Sequence, residues 1–455
     1  MKCLLLFLLS LSAFGQTTDY CPDIYDAATP KINYAKAGSF KAAVAALPST
    51  GGVIEVPFGS YANCDALNYV TAASKKNIAL VGVLDASGNR PTFSCSLSAP
   101  QPVFFSAGWY SGTIASPYAP SPQRFEIKNI EVMNYSGVFN GANYASVTVV
   151  NNHFHGAAGN GLMDGDAYGD QSRERRVCGN ELDHLGQGNT MHGVYWHRNT
   201  ANNQTGTGTA GKGTTASYFV DNRCHDMRGS HCYKSTSEFN YVAGNRFDTN
   251  LDGDPRFYGS ELVDIMSCGN SVVRDNTFNA YSPNREIIYF TNRQDSTGCD
   301  RPVYGSGQFL DAAFWASIVN AGVSDALPNP PSVANAGLFH HFVSGNKFTE
   351  LRPNTVRALK SPSYAVGHYG TVPNKVPYAF GTCHSDPGTP SFWIERSRVW
   401  MANNSYAGNI GAVRYDQNQP EWCSNPPPPV AVNAPIIAVG GEDGTPITLP
   451  VWFKR

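Results

Sequence analysis

Apolar residues recur along this chain in short β-branched and aromatic runs, and rarely at a helical spacing. The exception comes early. Ser39-Phe-Lys-Ala-Ala-Val-Ala-Ala-Leu47 sets Phe40, Val44 and Leu47 on one face behind an N-cap serine, which predicts a brief amphipathic helix. Residues 51–61 (GGVIEVPFGSY) then read as a β-branched strand stopped by Pro57 and Gly59, and residues 77–82 (NIALVG) as another. Beyond them one signal repeats: an asparagine, a variable residue, then an apolar one. It occurs at Asn152, Asn180, Asn222, Asn245, Asn276, Asn346 and Asn404, the closest pair, Asn222 and Asn245, lying 23 residues apart. Strands repeating at that period without helices predict a solenoid. Asparagine suits its turns because it tolerates the left-handed conformation and its amide can bond the equivalent residue one rung away. The longer gaps hold insertions, a Gly/Thr-rich one near 200–215 and a block over 302–338.

The segments that follow these turns can be stacked: 161–164 (GLMD), 192–195 (HGVY), 231–234 (HCYK), 261–264 (ELVD) and 286–289 (EIIY). Their third column is Met163, Val194, Tyr233, Val263 and Ile288, which faces the core, and the fifth (Trp196, Ser235, Ile265, Phe290) is compatible with the same face. Strand alternation sends the fourth column outward as a ladder of Asp164, Tyr195, Lys234, Asp264 and Tyr289, one residue every ~4.8 Å. His192 and His231 lie beside it. For any single member the bland reading, a column that keeps one face soluble, is the stronger. For the set it weakens, because Lys and His are scarce here yet gather on neighbouring rungs. A basic, aromatic groove along parallel strands suits an extended anionic polymer. Tyr195, Tyr289 and Trp196 could stack on sugar rings, Lys234, Arg198, Arg228 and Arg285 could meet carboxylates or sulfates, and Asp164 and Asp264 complete the face.

Composition agrees with the solenoid. Charged residues are 15% of 455, against roughly 25% in an average globular chain, which leaves little room for long solvated helices. Forty-four glycines and 30 prolines supply many turns. A formal net charge of −2 argues against a nucleic-acid partner, and 42% hydrophobic residues against disorder. Residues 1–15 (MKCLLLFLLSLSAFG) have the charge, apolar run and small-x-small end of a secretory signal peptide, and no later run is long enough to span a membrane. Ten cysteines remain after its removal; an even number in an exported chain predicts disulfides, with Cys64–Cys95 and Cys383–Cys423 as local pairs. The expectation is a secreted monomer: a solenoid catalytic domain over 16–424 and a Pro-rich segment over 425–455.

The capping helix, the Gly-Gly-Val-Ile-Glu-Val-Pro-x-Gly-x-Tyr opening and the asparagine-punctuated rungs resemble the pectate-lyase-like, single-stranded, right-handed parallel β-helix proteins, over roughly residues 36–412. The resemblance implies an all-β, right-handed parallel β-helix with an N-terminal cap. The stretch Tyr233-Lys234-Ser235 through Asn240, with Gly244-Asn245-Arg-Phe247, is similar to the Lys-Ser strand and following turn of the alginate and chondroitin-B lyase type. That likeness implies β-elimination on a uronic-acid polysaccharide with Lys234 as the base. The family's Arg-His-Gly acid has no counterpart, the matching strand here being 262–266 (LVDIM).

Elimination needs a carboxylate neutraliser, a base for the C5 proton and an acid for the departing oxygen. From the residues alone, Lys234 is the base candidate, in a cationic groove that would favour its neutral form, with Tyr195 or His192 as acid and His231 alongside. Asp248-Thr-Asn250-Leu-Asp252-Gly-Asp254 looks like half of a calcium loop, which makes Ca2+ the candidate cofactor; a polar solenoid turn is the equal alternative. Two rival functions stand beside the lyase. A hydrolase would use paired carboxylates such as Asp164 with Asp264, although the β-helix hydrolase blocks are missing. A glycan-binding β-helix would use the ladder without chemistry.

Overall fold

A computed structural model describes residues 20–68, 76–96, 102–106, 124–140, 146–163, 170–186, 191–196, 212–229, 231–235, 237, 239–249, 262–266, 270–280, 286–291, 338–350, 363–369, 378–379, 394–402, 404–407 and 410–415. The chain winds through three sheets in turn, so that each new strand pairs with the strand one turn earlier. Among the described residues the first sheet has twelve strands and the other two have ten each. Pairing is parallel throughout the described residues, apart from Tyr378–Ala379, which runs antiparallel to Ile394–Ala402. This is the parallel β-helix that the repeat predicts.

One turn shows how sequence makes a rung. Ser146–Val150 lies in the first sheet, His153–His155 in the second and Leu162–Met163 in the third. Two residues, Asn151 and Asn152, join the first strand to the second. The left-handed conformation belongs to the residue before the ladder asparagine, and not to the ladder asparagine itself. It is adopted by Asn151, Gly179, Asp221, Gly244, Asp275 and Gly345, and by Asn129 before Ile130 at the equivalent corner, all at φ between 52° and 68°. Only glycine or a short polar side chain tolerates that geometry, which explains the Asn/Asp/Gly choice there.

The ladder residue does a second job. Each Oδ1 accepts from the backbone N–H and the Nδ2 of the asparagine one turn earlier, at 2.8–3.0 Å, from Asn152 through to Asn404. Each Nδ2 also donates to a first-sheet carbonyl one turn back, as Asn245 does to Phe219 at 2.7 Å. All seven asparagines of the repeat share this one buried ladder, so the corner between the sheets is held by side-chain amides as well as by backbone pairing.

The core lies between the sheets. Phe93, Val132, Phe154, Leu182, Cys224, Phe247, Phe278 and Phe348 fill the centre of the second sheet and are fully buried. At its far end Phe247, Phe278, Phe348 and Tyr406 stack at 4.7, 5.0 and 5.5 Å with planes within 7°. One interior position is polar by design: Tyr233 Oη sits 2.7 Å from Ser217 Oγ and donates to Asn240 Oδ1 at 3.0 Å, which satisfies a hydroxyl that faces the core.

The expected helix is Phe40–Ala46, capped by Ser39, whose side chain accepts from Ala42 N, with Phe40, Val44 and Leu47 buried against the open end of the helix. A four-residue helix, Tyr34–Ala37, precedes it, begun by Asn33, whose side chain accepts from Lys36 N, and ended by Gly38 in the left-handed conformation. Tyr20 to Asp26 crosses the outside of the first sheet. It is fastened by the Cys21–Cys178 disulfide, a Tyr20–Tyr241 stack at 4.9 Å and the Ile24 N–H on Glu126. Cys64–Cys95 pairs as expected, and Cys224–Cys232 is a third disulfide. Cys383, Cys423 and residues 1–15 and 425–455 lie outside the described residues. The strand Lys212–Val220 takes in the last residues of the Gly/Thr stretch, and the rest of that stretch lies outside the described residues. Among the described residues no helix is long and apolar enough to cross a membrane.

Candidate functional site

The third sheet brings most of the expected column together. Tyr195 pairs with Lys234, Lys234 with Asp264, and Asp264 with Tyr289, on four successive turns. The first member is different. Leu162 is the partner of Val194 and Met163 that of Tyr195, one residue out of the expected register. Met163 therefore takes the outward place assigned to Asp164, and Leu162 the core place assigned to Met163. The expected stacking sets Gly161 opposite His192, whereas the structure puts Gly161 level with Gly193, so every residue of this strand moves by one place and changes face. Asp164, Arg198 and Arg285 lie outside the described residues, as do Asn250, Asp252 and Asp254.

Within the column the contacts are close. Lys234 Nζ lies 3.3 Å from Asp264 Oδ2 and 5.3 Å from the centre of the Tyr195 ring. Asp264 Oδ2 is also 3.6 Å from His231 Nε2, and the other nitrogen of that ring, Nδ1, meets His192 Nδ1 at 3.1 Å. His192 stands edge-on to Tyr195 at 5.1 Å. The result is a continuous set, His192–His231–Asp264–Lys234–Tyr195, spread over three turns. Lys234 retains 17% side-chain exposure, while Asp264 is nearly covered at 5%. Tyr289 is half-buried one turn further on, and Arg228 lies in the turn that leads to His231.

Charge in this site departs from the expectation of a cationic groove, because Asp264 is the immediate neighbour of Lys234. The two imidazoles are the unusual groups. Burial, and then the charge of Lys234, pull His192 down to about 3. Burial, His192 and Lys234 hold His231 well below the usual histidine range. Both rings are therefore neutral at pH 7, and in the 3.1 Å contact one Nδ1 donates to the other.

Two expected site residues are placed elsewhere. Trp196 points inward and is fully buried in the core, since the residue after an outward tyrosine must face in; it offers no ring to a ligand. Asp248 is almost fully buried in the second sheet, where it accepts from Arg246 Nε and Asn279 Nδ2, both at 2.6 Å. A carboxylate so committed is a poor first ligand for a calcium loop.

The second sheet carries a polar face that the stacking of third-sheet strands overlooked. Its strands are three to four residues long here, apolar in the centre, so the residues one and three places after each ladder asparagine face outward. They are His153 and His155, Glu181 and Asp183, Arg223 and His225 on consecutive turns, with Glu131 and Met133 before them. The signal was legible as a fixed offset from the same asparagines. His153 Nε2 meets Asp183 Oδ2 at 2.6 Å and its Nδ1 meets Glu131 Oε1 at 3.3 Å. His155 Nε2 reaches the same Glu131 oxygen at 3.1 Å. Burial depresses His153, but the bonds to Asp183 and Glu131 outweigh it and raise the ring to about 9. Those two histidines in turn hold Glu131 well below the ordinary carboxylate range.

No protein-family model matches the chain, and no curated protein matches it either. Among solved structures it is similar to ORF18 of Geobacillus virus E2, at 11% identity and a TM-score of 0.38, covering 85% of this chain. The match spans 60% of the length of that viral protein. What the molecule establishes about itself is therefore a disulfide-bonded, all-β parallel β-helix with two polar outer faces.

Proposed function

We propose that the outer face of the third sheet binds a uronic-acid-containing polysaccharide and cleaves it by β-elimination, and that the protein acts as a secreted polysaccharide lyase of the pectate-lyase-like kind. The observation that carries this reading is the position of Lys234: partly exposed on a rigid strand, 3.3 Å from Asp264 and beside the face of Tyr195. A linear polymer lying along the column would meet these groups on successive turns. Arg228, with Arg198 and Arg285, is assigned the substrate carboxylate. As the base, Lys234 first gives to solvent the ammonium proton that its ion pair with Asp264 favours; its amine then takes the C5 proton, and the electrons of that C–H bond form the C4–C5 double bond as the C4–oxygen bond breaks. The departing oxygen needs a proton. His192 and His231 are neutral at pH 7 and hold no acidic imidazolium proton, which leaves Tyr195 as the acid. Asp264 and the two histidines position Lys234. Three disulfides support an oxidising, extracytoplasmic location.

The test is incubation with a panel of uronate polysaccharides, with Ca2+ or with EDTA, while absorbance of the unsaturated product and new reducing ends are both followed. Lys234→Arg preserves the ion pair with Asp264 but cannot give up its proton, so it should abolish the absorbance rise while the protein stays folded. Full activity in Lys234→Arg sinks the base assignment. Reducing ends without absorbance mean hydrolysis, and binding without either means a glycan-binding protein.

A further inference from the structure

We propose that Glu131, His153 and His155, on the outer face of the second sheet, form a binding site for one divalent transition metal ion of the zinc class. The site is on a different sheet from the Lys234 column and does not depend on the lyase reading.

Backbone geometry assembles the donors. His153 and His155 are alternate residues of one strand and so project from the same side, and Glu131 is the register partner of His153 on the preceding turn. Glu131 Oε1 lies 3.3 Å from His153 Nδ1 and 3.1 Å from His155 Nε2, and all three donor atoms fall within 4.8 Å of one another. Around a tetrahedral ion with bonds of about 2.0–2.1 Å, neighbouring donors stand roughly 3.3–3.4 Å apart, so two of the three edges are already close to that length. The two rings stack at 4.3 Å with planes 13° apart. An ion bonds in the plane of each ring, so one ring must turn about its Cβ–Cγ bond to close the third edge; exposures of 22–27% leave room for that and for a water or ligand as fourth donor.

Two further groups support the donors from behind. Asp183 Oδ2 takes the Nε2 proton of His153 at 2.6 Å, which leaves Nδ1 turned toward Glu131, and Thr92 Oγ1 donates to Glu131 Oε2 at 2.5 Å. A carboxylate behind a ligating imidazole is the usual outer-shell arrangement of metal sites. Two imidazoles and one carboxylate favour zinc and its first-row neighbours over calcium, which takes six to eight oxygens. The ion takes the place of the proton that His153 otherwise shares with Glu131, so binding releases a proton.

Zn2+ titration of the EDTA-stripped full chain by calorimetry, with Co2+ absorption as a second measurement, tests the assignment. One Zn2+ per chain and a four-coordinate Co2+ spectrum are expected. Glu131→Gln or His155→Gln should weaken binding about 100-fold or more, and Asp183→Asn about 10- to 100-fold. His225→Gln, on the same face but bonded to Glu181 and Asp226, should leave affinity unchanged. Glu131, His153 and His155 are partly exposed while Asp183 is buried, and circular dichroism verifies that each variant is folded. Zn2+ binding no tighter in the wild type than in His153→Gln/His155→Gln overturns the proposal. So does a loss in His225→Gln with none in His155→Gln.

Discussion

Replacing Asn245 by alanine removes one rung of the asparagine ladder. Asn245 Oδ1 accepts from Asn222 N at 2.8 Å and Asn222 Nδ2 at 3.0 Å, and its own Nδ2 donates to Phe219 O at 2.7 Å and Asn276 Oδ1 at 2.9 Å. Four buried bonds are lost, but the consequences differ. Asn222 Nδ2 keeps Val177 O, and Asn276 Oδ1 keeps the Asn245 backbone N–H, so those groups remain bonded. The Asn222 N–H and the Phe219 carbonyl lose their ladder partner where water does not reach, at about 1–3 kcal/mol each. With the small additional loss from the two surviving groups, the expected cost is about 3–5 kcal/mol. Asn245→Asp keeps the accepting oxygen and replaces the donor by a second oxygen facing two acceptors, so it should cost at least as much as alanine. Urea unfolding followed by circular dichroism reads the overall loss. Because a solenoid can open locally, amide exchange at Asn222 reads the rung itself and should speed by a factor of about 100 or more. Lys347→Ala, an exposed site one position past the ladder, is the control and should stay within about 0.5 kcal/mol. A cost below about 1 kcal/mol for Asn245→Ala, or an unchanged exchange rate at Asn222, would refute the view that side-chain amides hold this corner.

Three other outcomes follow from the same geometry. His192 is held neutral down to about 3 in the fold against about 6.5 when unfolded, so below pH 6.5 the unfolded state binds the extra proton and stability falls as pH drops toward 3. At pH 5 that is about 2 kcal/mol relative to pH 8; His192→Gln should lose roughly that much of the difference between denaturation curves at the two pH values, and an unchanged difference refutes it. Gly244→Ala puts a Cβ 2.1 Å from Asp221 Oδ1 at φ +68°, whereas at Gly38, φ +79°, no atom lies within 4 Å. Melting curves should therefore show a clearly larger loss at Gly244 than the ~1 kcal/mol of backbone strain at Gly38, and equal losses would mean that the neighbouring turn yields. Phe278→Ala opens the middle of the stack between Phe247 and Phe348 and should cost about 3–5 kcal/mol by urea titration; Phe278→Leu keeps most of the apolar volume and should cost under about 1.5 kcal/mol, and a larger loss in the leucine variant would assign the difference to ring stacking.

What the sequence determined by itself is whatever depends on spacing along the chain. An asparagine at each rung, an apolar residue two places on and the capped Phe40–Ala46 helix specify the solenoid, because each rung is a local unit that repeats its neighbour's contacts. The same logic placed Tyr195, Lys234, Asp264 and Tyr289 in one outward column and Val194, Tyr233, Val263 and Ile288 facing in. It failed where the count between asparagine and strand changes, as at Met163, and where a residue was assigned against its own alternation, as with Trp196. Only the tertiary structure decided the rest. Whether Lys234 sits among cations or beside a carboxylate depends on how far Asp264 reaches across the turn. The neutrality of His192 and His231 comes from burial that no local pattern encodes. And the meeting of Glu131 with His153 and His155 joins residues 22 or more positions apart, brought within 3.3 Å only because one full winding of the helix returns the chain to its own previous rung.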